Sequence, residues 1–248
     1  MPQGLGEWFT TTPLGQYLLR QETAYFDSAV ANVFGYYALQ IGLSELDLLR
    51  ASRIPLRCRI DARSGAGILA RPTELPVAGN SVDLVVLPHV LEFGAEPHQI
   101  LREAGRILMP EGHLVLSGFN PWSLWGGRRR LPGPASAQVP WNARFIRLLR
   151  LKDWLSLLGF EIVGGRMGCY VPPFRQERWL SRCAFMEAAG DRWWPGAGGV
   201  YFLQAIKRVH GMRLINPRWN TRLAPAKKSF AAAPQKIADK PKTSQGTQ

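Results

Sequence analysis

Cysteine is scarce in this chain. Cys58, Cys169 and Cys183 are the three in 248 residues, odd in number and widely spaced. That argues against a disulfide framework, and no CxxC pair points to zinc. Histidine is almost as rare. His89, His98, His113 and His210 lie in different segments without ligand spacing, so no metal site is expected. No apolar run approaches the roughly 20 residues that span a bilayer. Met1 to Trp8 shows neither the charged start nor the apolar stretch of a secretion signal. These absences lead to the expectation of a soluble, cytoplasmic protein. Acidic residues are also few: 18 Asp and Glu stand against 31 Lys and Arg, for a net charge of +13. Such a surplus suits an acidic partner, whether nucleic acid, an anionic membrane surface or an acidic small molecule.

What is present suffices for one sizeable core. Hydrophobic residues make up 46% and charged residues of both signs 20%, which excludes a wholly disordered polyelectrolyte. Glu7 to Asn32 reads as helical, with Leu14, Leu18, Phe26 and Val30 at helix-like intervals. Gly35 to Gly42 is a short apolar run bounded by glycines, as in a buried strand. Leu43 to Ala51 returns to helix spacing, with Ser44 and Asp47 resembling a capping box. Leu56 to Asp61 reads as a strand, Gly67 to Ala70 as a very short one, and Val82 to Leu87 as a buried one. Glu96 to Leu108 is amphipathic, with Ile100, Leu101, Ala104, Ile107 and Leu108 on one face. His113 to Phe119, Glu161 to Val163 and Gly199 to Ile206 supply further strands. Helices are expected over Arg144 to Leu158 and Gln176 to Ala188.

Strands alternating with helices predict an α/β fold with a doubly wound, mostly parallel sheet. The chain divides into a helical segment at 1–34, an α/β domain at 35–209 and a tail at 210–248. Within the domain, 121–142 is rich in Trp, Pro and Gly and holds Arg128-Arg129-Arg130. It reads as a long irregular connection, in which Trp122 and Trp125 could either wall a pocket or pin the loop. Apolar periodicity is absent from the tail, which carries eight Lys or Arg against Asp239 alone. Two readings stay open: a solvated tail, or a contact with nucleic acid or another anionic surface.

In open α/β sheets, ligands sit outside the carboxyl ends of the strands. Gly42 follows the first strand and would let a ligand approach the backbone. Asp61 ends the second strand, nineteen positions later. A carboxylate at about this separation commonly accepts hydrogen bonds from ribose hydroxyls. GxGxxG is missing, which argues against a dinucleotide oxidoreductase.

Three blocks then follow in order: Thr73 to Val77 with Asn80 to Val86, His89-Val90-Leu91-Glu92-Phe93, and Glu103 to Gly112. Together with Ser117 to Pro121 they resemble the class I S-adenosylmethionine-dependent methyltransferases, and best the broad type 11 family. The resemblance covers about Tyr36 to Val209. It implies a Rossmann-like, seven-stranded sheet with a reversed last hairpin, S-adenosylmethionine as cofactor, and a methyl acceptor that the residues do not identify. Carried over position by position, it implies cofactor contacts at Gln40, Gly42, Asp61, Arg71, Leu75, Pro88, His89 and Leu91. It offers His89, and after it Glu92, as a general base for acceptors that need one. The first loop departs from the family's acid-x-Gly-x-Gly-x-Gly. It reads Gln40-Ile41-Gly42-Leu43-Ser44-Glu45-Leu46, with an amide for the acid and one glycine of three. Arg71 stands where an adenine-side acid is usual. A second reading therefore accompanies the enzyme: a catalytically degenerate fold serving as a binding module, with the basic tail on nucleic acid.

Overall fold

Among the described residues seven strands form one sheet, in the spatial order Ile68–Leu69, Leu56–Asp61, Tyr37–Ile41, Val82–Pro88, Leu108–Phe119, Val200–Lys207 and Phe160–Gly168. The structure is a computed structural model that describes residues 4–62, 66–131, 139–174 and 176–209. The tail at 210–248, with both readings made of it, lies outside the described residues. β1 (Tyr37–Ile41), β2 (Leu56–Asp61), β3 (Ile68–Leu69), β4 (Val82–Pro88) and β5 (Leu108–Phe119) run parallel. β7 (Val200–Lys207) inserts antiparallel between β5 and β6 (Phe160–Gly168). The order reverses between β1 and β4, and in such sheets the carboxyl ends of the strands at this switch are where a ligand sits. The start of β1 is anchored by Asp83 of β4, whose Oδ2 accepts from the Tyr36 and Tyr37 amides at 2.7 and 2.9 Å.

Two helices replace the single one expected at the start. α1 (Leu5–Thr11) and α2 (Pro13–Ala31) break at Thr12. Thr12 is extended and its hydroxyl accepts from the Gly15 amide, while Pro13 opens α2. Proline suits that first position, where its missing N–H costs no helical bond. α2 lays Phe26, Ala29, Val30 and the following Val33 against Ala38, Leu84, Val86 and Val115 of the sheet. The other face of the sheet is covered by α4 (Pro97–Ile107) and α6 (Leu148–Leu157), through Ile100, Leu101, Ala104, Leu151 and Leu155. A third cluster joins α1 to the ends of β5 and β7: Leu5, Phe9, Leu43, Phe119, Trp125 and Val200 are all buried in it.

Several expectations change at the element level. Leu43 to Ala51 is a series of turns and not a helix. The connection after β5 is not wholly irregular, since α5 (Leu124–Arg130) forms there with the Ser123 hydroxyl accepting from the Gly126 amide. Residues 132–138 of that connection lie outside the described residues. The helix expected at Gln176 to Ala188 is two, α7 (Glu177–Arg182) and α8 (Phe185–Trp193). The short α3 (Val90–Phe93) follows β4. No described helix is long and apolar enough to cross a membrane.

Candidate functional site

The candidate site is built from the segments that leave β1, β2 and β4. After β1 the backbone enters the left-handed region twice, at Gly42 (φ 81°) and at Leu43 (φ 48°). Glycine adopts that conformation freely, and a leucine rarely does. Leu43 is held there with its side chain buried beside α1.

Gln40 explains why no helix forms after β1. Its Nε2 donates to the carbonyls of Gly42, Leu43 and Leu46 at 3.1, 3.0 and 2.8 Å, and its Oε1 accepts from the Leu48 amide at 3.0 Å. The side chain thus supplies, from inside, the partners that a helix would supply along its own backbone. Gln40 is fully buried and every polar atom of its amide is occupied. It shapes the loop from behind and presents nothing to a ligand. Asp47 forms no capping box; its Oδ1 accepts from the Leu49 amide two residues on.

Asp61 closes β2 at the opposite lip. It is 2% exposed. Its Oδ2 accepts from the Ser44 amide at 3.4 Å, and its Oδ1 has no hydrogen-bond partner among the described residues. A buried acceptor without a donor is costly, on the order of 1–3 kcal/mol. Beside it Arg59 donates to the Ser44 carbonyl at 2.9 Å, so the β1 loop is tied to β2 twice.

The remaining sequence candidates fall into other roles. Arg71 is exposed and makes a small bridge to Glu74. Leu75 packs into the core under α4. Its amide donates to Glu103 and its carbonyl accepts from Arg106, so neither backbone group is open to an adenine ring. Pro88 is buried at the end of β4, and Leu91 is core.

His89 departs furthest from its expected role. It stands at φ 49° between β4 and α3, with its ring fully buried. Nδ1 lies 2.6 Å from Glu92, and Nε2 lies 2.5 Å from Glu22 of α2. Burial opposes the imidazolium, but the two carboxylates outweigh it and push His89 up to about 10. With both nitrogens engaged, the ring has none left to take a substrate proton. Glu92 is equally committed. Burial raises its pKa against the pull of His89, and its other oxygen accepts from the Phe119 amide. The cluster ties α2, the β4 exit and the β5 exit together.

Trp125 is a pin: it is fully buried, and its Nε1 donates to the Val171 carbonyl at 2.9 Å. Trp122 is 62% exposed, with the guanidiniums of Arg130 and Arg147 over its ring at 5.7 and 5.3 Å. The two therefore do not wall one pocket.

Residues 48–116 match the family described as "Methyltransferase domain". The strand order and that match agree. The fold is the Rossmann-like methyltransferase fold, and residues 48–116 are similar to that family. Among curated relatives, it is 38% identical over 133 residues to the uncharacterised YafS of Escherichia coli, a match covering 53% of this chain and 55% of YafS. The chain therefore spans about half the length of that relative. An uncharacterised protein of Mycobacterium tuberculosis is 28% identical over 215 residues, covering 82% of this chain and 71% of the relative. Two solved structures share the fold. One is the complex between the Haloferax volcanii Trm112 methyltransferase activator and a methyltransferase (TM-score 0.60, 13% identity, 84% of this chain and 100% of that one). The other is a Streptomyces coelicolor geranyl diphosphate C-methyltransferase with S-adenosyl-L-homocysteine (TM-score 0.53, 12% identity, 77% of this chain and 80% of that one).

The methyltransferase fold implies S-adenosylmethionine. The residues fit it at the ribose end, where the unpartnered Asp61 Oδ1 would accept a sugar hydroxyl. At the methionine end the fit differs from the family pattern. The loop offers the missing side chain of Gly42 there, whose own N–H and carbonyl are taken by Ile60 and Gln40, and no free side-chain acid at position 40.

Proposed function

We propose that this chain is an S-adenosylmethionine-dependent methyltransferase whose cofactor is anchored on Asp61. The observation that carries the reading is that carboxylate. It ends β2 beside the switch point of a 3-2-1-4-5-7-6 sheet, buried and with one oxygen still requiring a donor. A ribose hydroxyl supplies such a donor. Gly42 leaves room for the ligand to pass close to the backbone, because no Cβ projects there.

When bound, the cofactor supplies a methyl group on a sulfonium, already activated toward a nucleophile. What the chain must add is alignment of acceptor and methyl carbon, which can supply a large share of the rate. His89 contributes by position only: with Glu22 and Glu92 it locks the exits of β4 and β5, between which an acceptor would enter. Proton removal by His89 forms no part of this reading.

The test is thermal unfolding of the full chain with S-adenosylmethionine and with S-adenosylhomocysteine. Ligand at a hundred times its dissociation constant adds about 2.7 kcal/mol, which is a rise of roughly 5–10 °C at this size. Asp61→Asn, which keeps the shape of the side chain, should lose most of the rise while unfolding near the native temperature without ligand. A folded wild-type protein showing no shift at millimolar cofactor would sink the proposal.

A further inference from the structure

We infer that the cavity between α4 and α6 binds a small, soluble organic phosphate. The cavity measures about 910 Å³, the size that holds a nucleotide-scale ligand. Arg102 enters it from α4, and Arg144, Arg147 and Arg150 enter from α6 and the segment leading into it. Among the described residues none of these four guanidiniums is in an ion pair. That is not for want of carboxylates, since Glu96 and Asp153 line the same cavity. Three other exposed arginines do pair: Arg50 with Asp27, Arg106 with Glu103, and Arg208 with Glu111 and Glu161.

Two of the four are held by rings instead. Arg147 lies over Trp122 at 5.3 Å and Arg150 over Trp154 at 5.1 Å. Trp154 is in turn backed by the His98 ring, with centroids 3.7 Å apart. A cation–π contact uses the flat face of a guanidinium and leaves its in-plane N–H donors open. Those donors form the fork that meets phosphate oxygens two at a time. The rings therefore fix the arginines in place without consuming what a phosphate would use.

The backbone adds to the same field. The N-termini of α4 and α6 both contribute to the cavity wall, and neither has a side-chain cap. Uncapped N–H groups and the positive end of a helix favour an anion. The cavity wall is tied to α3: the Arg144 amide donates to the Glu92 carbonyl at 2.9 Å. Binding of the phosphate requires neither methyl transfer nor the cofactor.

The experiment is a titration of tryptophan fluorescence with inorganic pyrophosphate, using the full chain at 50 and 200 mM salt. Saturable binding is expected, weaker at the higher salt. Arg147→Ala/Arg150→Ala should weaken it at least tenfold. Arg178→Ala/Arg182→Ala, which removes the same charge at α7, should leave it within twofold. Unfolding temperatures of the two double variants in the absence of pyrophosphate confirm that both are folded. Equal losses in both variants would mean that only net charge is sensed, and would overturn the inference. Native binding by Arg147→Ala/Arg150→Ala would place the anion elsewhere, the basic tail included, and would overturn it too. So would binding to phosphatidic acid vesicles with none to pyrophosphate. A cofactor shift without pyrophosphate binding would remove this inference and leave the methyltransferase reading standing; the converse would do the reverse.

Discussion

At the scale of single residues, the buried Glu22–His89–Glu92 cluster makes the strongest claim on the protein's behaviour in solution. A histidine held near 10 in the folded state keeps a proton that the unfolded chain releases around 6.5. Folding then takes up a proton between those values, so stability falls as pH rises through the window. Glu92, raised by burial, acts with the same sign above the ordinary carboxylate range. Across this window the urea midpoint should be highest at about pH 6.5 and decline steadily toward pH 10. Glu22→Gln removes one of the two carboxylate charges, so it should shrink that slope and shift it to lower pH. Glu22→Leu leaves Nε2 unpaired in the interior and should cost about 3–5 kcal/mol. A wild-type midpoint that stays level from pH 6.5 to 10 would contradict the assignment. The cluster was partly legible. Glu22 interrupts the apolar stripe Leu14, Leu18, Phe26 and Val30, where a charge needs a buried partner. What could not be read was the partner's identity, since His89 lies 67 positions away and only the fold unites them.

At the scale of elements, the sequence served best where one local signal dominated. β4 is apolar apart from Asp83, and α4 shows one clean face; both form close to where the spacing places them. It served worst at Leu43 to Ala51, where the spacing suits a helix and a side chain decides otherwise. Gln40 lies outside that window, so no periodicity within the window reveals its four hydrogen bonds. An amide is needed at this position, and an acid cannot replace it. Gln40→Glu would restore the family's acid, yet an ionised carboxylate cannot donate to three carbonyls or keep the loop as it is. The loss should be on the order of 1–3 kcal/mol, a fall of several degrees in the unfolding temperature. Gln40→Met, similar in length, should also destabilise, because three carbonyls and the Leu48 amide lose their partner. If Gln40→Glu unfolds at the native temperature, the amide is not what holds the turn. The site shares this limit: Asp61 and Gly42 stand out in the sequence by their place after strands, while Leu75 and His89 owe their roles to α4 and α2.

At the scale of the whole molecule, α1 and α2 are part of the core that the sheet requires. Phe26 is fully buried, with its ring edge-on to Phe202 of β7 at 6.4 Å and to Tyr25 at 6.1 Å. Around it, Val30 and Val33 cover Ala38, Leu84, Val86 and Val115 of the central strands. A parallel sheet needs both faces covered, and on this face α2 does what a helix after β1 would otherwise do. The turns that Gln40 holds and the long α2 are thus complementary: the short connection leaves space, and α2 fills it. Phe26→Ala should cost about 3–5 kcal/mol, as deletions of large buried rings do. Removing residues 1–34 should be far worse, because it strips Glu22 from His89 and exposes the apolar face of β1, β4 and β5 together. A truncated chain beginning at Gly35 should therefore bind a hydrophobic dye strongly and lose its cooperative unfolding transition. If it instead melts cooperatively near the native temperature, the α/β domain stands without α2, and the Glu22–His89–Glu92 cluster is not what holds the β4 and β5 exits in place.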